Sequence, residues 1–196
     1  MQLMIFGRKR DDAGSGSELS VEARRRFDVE VLPHLDAGYN LARHIMRDAE
    51  DAEDMVQEAF LRAIRHFAGF RGGDGRPWLL AIVRNVCFTE LRRRRAAGER
   101  IVFDEEQHTE TDAMPGPEVD LDRKAAADSL DAALARLPVE FREALVLREL
   151  EEMSYKEIAQ ITGVPVGTVM SRLARARERL ARALGVPGKE VRDGVS

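Results

Sequence analysis

Ser154 and Glu157 stand three residues apart at the head of an apolar run, and this S-x-x-E spacing fixes where one helix must begin. The serine oxygen accepts from the backbone N–H three residues on, and the glutamate reaches back to the serine N–H, so two otherwise orphaned donors are satisfied reciprocally. A helix therefore starts at Tyr155. Thr162-Gly163 breaks it, and Pro165 suits the first turn of a second helix, where its missing N–H has no partner to lose. Helix, short turn and helix follow within about thirty residues, Ser154 to Leu184.

At about 100° per residue, Val169, Leu173, Ala176, Leu180 and Leu184 share one face of the second helix, its expected buried side. Thr168, Ser171, Arg172, Arg175, Arg179 and Arg182 share another sector, a stripe of guanidiniums with small hydroxyls near its N-terminal end. A recognition helix offers its N-terminal residues to base edges in the major groove while arginines hold phosphates or guanine edges. A solvated basic face would show the same periodicity. The capping box and the Gly-containing turn favour the DNA-reading element.

The remaining periodicity is also helical, with no strand-like alternation, so the expected fold is all-α: two small helical domains joined by an acidic flexible linker. The net charge of −4 argues against a nucleic-acid binder only as an average. Six acids and no base lie between Asp48 and Glu58; Arg92 to Arg95 is basic, Asp104 to Asp122 acidic, and Arg172 to Arg182 basic again. Such segregation provides one surface for DNA and another for a basic protein. The single cysteine, Cys87, precludes an internal disulfide and a cysteine-based zinc cluster, and it is expected to pack in a core. His34, His44, His66 and His108 have no ligand-like spacing, so no metal or other cofactor is expected. The short apolar piece Leu3 to Phe6 precedes its charges, the wrong order for a signal peptide, and a cytoplasmic location is expected.

In chain order, residues 1–17 read as a leader and 18–96 as a first helical domain. Its first helix carries Phe27, Val31 and Leu32 and ends before Pro33; the second runs from Leu35 to Met46. Asp48 caps a third, reaching about Phe67, whose buried stripe is Ala52, Val56, Ala59, Phe60, Ala63 and Phe67. Asp51, Asp54, Gln57, Glu58 and Arg65 lie opposite with Leu61 among them, the pattern of a docking surface for a basic helix, although single surface leucines are common. Gly69 to Arg76 forms a glycine-rich loop without the Lys-Ser/Thr of a phosphate-binding loop. Pro77 then opens a fourth helix, Trp78 to about Arg95, apolar through Val83 and basic beyond. Phe70, Arg71, Arg84, Asn85, Arg92 and Arg93 together could grip phosphates and accept an unstacked base. Residues 97–120 are the acidic linker. In the second domain, 121–185, a helix from Leu121 to Leu137 precedes another begun by Pro138, with Phe141, Ala144, Leu145 and Leu150 placed to pack on the helix-turn-helix. Gly185 stops the last helix, and 186–196 form a tail.

This arrangement resembles the extracytoplasmic-function (ECF) group of bacterial sigma factors in the sigma-70 superfamily. The motifs are DAEDMVQEAFLRA (Asp51 to Ala63), GFRGGDGRPWLLAIVRNVCFTELRRRR (Gly69 to Arg95) and LPVEFREALVLRELEEMSYKEIAQITGVPVGTVMSRLARARERL (Leu137 to Leu180). The resemblance implies no enzymatic step but promoter recognition on behalf of RNA polymerase. Asp51, Asp54, Gln57, Glu58 and Leu61 would meet the β′ clamp helices of the core enzyme, with the β flap as a second contact. Phe70, Arg71, Arg84, Asn85, Arg92 and Arg93 would serve the −10 element, where opening of the duplex is offset by capture of an exposed base. Thr168, Ser171, Arg172, Arg175 and Arg179 would serve the −35 element. Met170 and Ala174 depart from the basic or larger residues of many relatives. An anti-sigma factor is an expected partner. Three other readings stay open at this level: a free-standing operator-binding regulator, a sigma-mimic that sequesters an anti-sigma factor, and an enzyme, for which no triad, metal set or phosphate loop is found.

Overall fold

The computed structural model describes residues 20–98 and 129–185. The expected leader, linker and tail, the start of the helix expected from Leu121, and His108 lie outside these residues. Among the described residues every regular element is helical.

Ser20 caps α1 (Val21–Glu30) by accepting from the Ala23 N–H. A 3₁₀ turn, Leu32–His34, takes the chain past Pro33 into α2 (Leu35–Met46). Arg47 ends α2 in the left-handed region, φ 66°, and its N–H returns to Arg43 O. Asp48 caps α3 (Ala49–His66), its carboxylate accepting from Asp51 N at 2.9 Å, as the sequence indicates. A second 3₁₀ turn, Phe67–Gly69, leads to α4 (Gly75–Ala96). This helix begins two residues before Pro77, because Asp74 accepts from Arg76 N at 2.9 Å and so acts as the cap. The second unit holds α5 (129–135), α6 (Val139–Leu145), a π turn (Val146–Leu150), α7 (Tyr155–Thr162) and α8 (Val166–Ala183). Pro138 and Pro165 occupy the cap positions of α6 and α8, one place earlier than the first helical residue.

In the first unit, α2, α3 and α4 pack mutually around Leu41, Ala42, Ile45, Ala59, Leu79, Leu80 and Val83. The small residues are a condition of this approach: a Cβ added at Gly38 would sit 3.3 Å from Val83 Cγ2. Cys87 is fully buried there, and burial pushes its thiol up to about 12, consistent with a packing role. The α3 stripe is also as expected, with Ala52, Ala59, Ala63 and Phe67 buried and Val56 and Phe60 packed against them. In the second unit α6 lies on α8 and α7 on α8, closing over Leu147, Ile158, Val169, Leu173 and Ala176.

Three leucines depart from expectation. Leu150 does not pack on the helix-turn-helix but is 53% exposed, because the π turn inserts an extra residue per turn and rotates it outward. Leu184 lies beyond the last residue of α8 and is exposed, and Leu32 faces out from the 3₁₀ turn while Val31 is buried.

The two units do not stand apart. α4 packs on α7, and α2 on α6 and the π turn.

Candidate nucleic-acid and polymerase interface

The capping box forms in full: Ser154 N donates to Glu157 Oε2 at 2.7 Å, and Glu157 N to Ser154 Oγ at 3.3 Å. Gly163 ends α7 at φ 70° with its N–H on Ala159 O, a left-handed conformation that glycine adopts without steric cost. On α8, Ser171, Arg175 and Arg179 are exposed and Thr168 half-buried; Ser171 Oγ donates to Thr168 O at 2.9 Å. The Arg179 guanidinium lies 5.1 Å from the Phe141 ring centroid, which orients it along the helix.

Arg172 differs from its neighbours on the stripe. It is half-buried, and its Nη1 is out of solvent with no hydrogen-bond partner among the described residues. It contributes attraction to Glu143 on α6, a carboxylate only 1% exposed whose charged form is disfavoured by burial and partly restored by Arg84 and Arg172. Arg172 is thus the least exposed arginine of the expected −35 set, with one guanidinium nitrogen turned out of solvent.

In the first unit, Asp54, Gln57 and Leu61 form an exposed ridge one helical turn apart on α3, with Leu61 52% exposed. Glu58 beside them is half-buried and accepts from Arg62 Nε at 2.6 Å. Asp51 is not part of the free ridge. Its carboxylate is held by Arg94 of α4, which also bonds Glu90. This pairing arises because the basic end of α4 runs back along the acidic first turn of α3.

The loop-helix surface is divided in the same way. Asn85 and Arg71 are exposed. Arg92 is exposed too, with Nε donating to Phe88 O at 3.1 Å and Nη2 to Thr89 Oγ1 at 3.3 Å. Arg93 binds Glu90 through two 2.7 Å hydrogen bonds. Phe70, expected to accept a base, is instead 9% exposed. It stacks on Phe67 with centroids 5.5 Å apart and meets Trp78 at 4.9 Å, within a cluster that includes Phe27 and Phe60. The 3₁₀ turn folds it back onto the core, where ring burial outweighs any gain from exposure. Arg84 is likewise occupied: its Nε donates to Glu143 Oε1 of the second unit, and its guanidinium covers the Phe88 ring at 4.3 Å.

Several residues at this junction were not singled out by sequence. Arg142 is 3% exposed and donates to His44 O and Ile45 O at the end of α2, and to Ala135 O and Leu137 O beside its own helix. Burial, with the charge of Arg47 nearby, pulls its pKa down to about 10. Glu151 accepts from Arg76 and from Asn40. The only sequence signal was a charged Arg-Glu pair, 142–143, inside the apolar run FREALVL.

The family profile of Sigma-70 region 2 matches residues 31–97, and that of Sigma-70, region 4 matches residues 127–180. The chain is 34% identical to the RNA polymerase sigma-H factor of Pseudomonas aeruginosa, over 82% of this chain and 87% of the relative. The chain belongs to the ECF sigma factors of the sigma-70 family. As an ECF sigma factor it is also 39% identical to the ECF RNA polymerase sigma factor SigE of Mycolicibacterium smegmatis, over 79% of this chain and 60% of that relative, so it spans less than two thirds of that longer protein. Among solved structures, the sigma factor RpoE in complex with the anti-sigma factor NepR from Bartonella quintana superposes with a TM-score of 0.66 at 30% identity. That match covers 84% of this chain and 99% of the other. CnrH in complex with the cytosolic domain of CnrY gives 0.58 at 28% identity, covering 83% and 89%. The region 2 match thus falls in the first unit and the region 4 match in the second. No described helix is long and apolar enough to cross a membrane, and no cluster of metal-ligating side chains occurs among the described residues.

Proposed function

We propose that this sigma factor binds core RNA polymerase through region 2 and directs it to promoters read by region 4 at −35 and by region 2 at −10. The observation that carries the reading is the exposed Asp54–Gln57–Leu61 ridge on α3, two polar groups one turn apart followed by an apolar side chain that the described residues leave 52% exposed. A helix offering carboxylate and leucine on one face suits a basic partner helix, as the clamp helices are expected to be. Glu58 borders the ridge. Asn85, Arg71 and Arg92 are the exposed groups offered to single-stranded −10 DNA, with Arg93 held by Glu90 on the same helix; Thr168, Ser171, Arg175 and Arg179 are those offered to the −35 major groove. The chain makes and breaks no bond in this role. An anti-sigma factor, as seen with the structural relatives, is the expected inhibitor, and the cytoplasm the expected compartment.

The test is co-elution of the purified protein with core polymerase, beside Asp54→Arg. Stoichiometric co-elution of the wild type that the variant loses is the expected result. Elution of the wild type apart from active core would sink the reading and favour an operator-binding regulator, for which tight duplex binding without polymerase is the signature.

A further inference from the structure

The outward side of α8 is divided by chemistry. At about 100° per residue, Met170, Ala174, Ser171 and Arg175 follow one another across the exposed arc of its first turns, away from the buried Val169, Leu173 and Ala176. Arg175 forms one margin of this arc, beside Thr168. Met170 and Ala174, one turn apart, form the other. Met170 is 45% exposed, and Val166, one turn before it, is 38% exposed. Arg177 shares the sector of Met170 two turns on, but Glu149 holds its guanidinium, accepting from Nη2 at 2.8 Å and from Nε at 3.3 Å. None of the residues that form this margin therefore offers a free cation, and its surface is methyl, methylene and thioether.

A lone exposed apolar side chain is ordinary on a protein surface. This one is continuous with the arginine face proposed above for DNA, on a helix within the region 4 match. In the major groove one base alone offers an apolar group, the C5-methyl of thymine, whereas guanine offers O6 and N7 to an arginine. A helix with Arg175 on one margin and Met170 and Ala174 on the other is fitted to both. The methionine chain is unbranched and its sulfur polarizable, so it settles against a methyl without a fixed hydrogen-bond geometry. Removing one methyl from water against such a surface is worth about a fourfold gain in affinity.

Resting on the sigma reading, we infer that Met170, with Ala174 one turn on, reads a thymine C5-methyl in the −35 element and so determines specificity at one A·T pair beside the bases open to Arg175. The choice is directional: reversing the pair carries the methyl to the other strand and away from this margin. It is also separable from hydrogen-bond readout, because uracil keeps every donor and acceptor of thymine and lacks only the methyl. A charged residue at 170 would be blind to that difference.

The experiment uses holoenzyme reconstituted from core polymerase and the full chain. Promoters are selected from a randomised duplex library, and each thymine of the enriched −35 element is replaced singly by uracil. At one position the uracil duplex should bind about three- to fivefold more weakly. Holoenzyme carrying Met170→Ala should bind the thymine and uracil duplexes alike, while Met170→Leu, still apolar, should keep the preference; both variants should melt as the wild type does, since the side chain is exposed. An enriched element without thymine, or uracil without effect at every position, would overturn the inference. So would a uracil loss that persists in Met170→Ala, which would assign the effect to duplex shape. Weaker core binding by Met170→Ala with an unchanged thymine preference would give the side chain to the polymerase instead, and overturn it equally. In each of these cases the enrichment of promoter sequences leaves the sigma reading standing. A holoenzyme that enriches no sequence removes that reading and this inference together.

Discussion

Arg94 on α4 grips Asp51 on α3 with both guanidinium prongs, Nη1 to Oδ2 at 2.6 Å and Nη2 to Oδ1 at 2.5 Å, while its Nε holds Glu90 at 2.8 Å. One arginine thus ties the acidic start of α3 to the basic end of α4. The hydrogen bonds from Arg94 hold Asp51 below the usual carboxylate range, and those from Arg93 and Arg94 bring Glu90 down to about 2. Both carboxyls bind protons more weakly in the folded state than in the unfolded one. Their stabilisation is therefore fully present above the ordinary carboxylate range and lost as pH falls from about 5 towards 2. Asp51→Asn is expected to lower stability by roughly 1.5–3 kcal/mol at neutral pH and to flatten the acid limb of a plot of Tm against pH. Its core affinity, measured where it is folded, should stay near wild type, unlike that of Asp54→Arg.

Phe70 gives a second expectation. With its ring stacked between Phe67 and Trp78, Phe70→Ala should cost about 3–5 kcal/mol in urea denaturation, with Phe70→Leu costing less. Unchanged stability combined with defective promoter opening would return this residue to the role of base acceptor.

The elements were legible where local chemistry decides them. Ser154, Glu157 and Gly163 define α7 without help from the rest of the chain, and the α3 stripe follows from periodicity alone. The placements not legible in the sequence are those that a distant partner or a change of helical pitch decides. Phe70 looks exposed beside glycines, yet the turn at Phe67–Gly69 delivers it to Trp78. Leu150 fits an α-helical apolar face, and the π turn moves it off that face. Arg84 sits on a basic sector, but Glu143, on another element, accepts from it, and Arg172 on its own basic sector is half-buried. Periodicity reports which face a residue occupies and not which charge awaits it there.

Gly75 tests the junction between α1 and α4. A Cβ at this position would lie 1.9 Å from the Glu30 carbonyl oxygen, a backbone atom that cannot rotate away. Gly75→Ala must push α1 off the start of α4, and a loss of about 1–3 kcal/mol is expected. Chemical denaturation would read it; a neutral result would mean that α1 moves without cost, and that Phe27 is not firmly held by Phe60 and Phe67.

Arg172 and Arg175 sit three residues apart on α8 and should fail in different ways. Arg175 is exposed, so Arg175→Ala should leave the melting temperature unchanged and act on DNA alone. With a bidentate contact to guanine, the loss is about 1–3 kcal/mol at one base pair and selectivity relaxes there; with a phosphate contact, all sequences weaken alike and the salt slope falls by about 1. Arg172→Ala instead leaves Glu143 in the interior with Arg84 as its remaining cation, so its first effect should be a lowered melting temperature. Holoenzyme binding to a set of single-substitution −35 sequences at two salt concentrations, beside thermal melts of both variants, separates the cases. A stable Arg172→Ala protein with base-specific loss would show that this guanidinium swings out of the interior to read DNA.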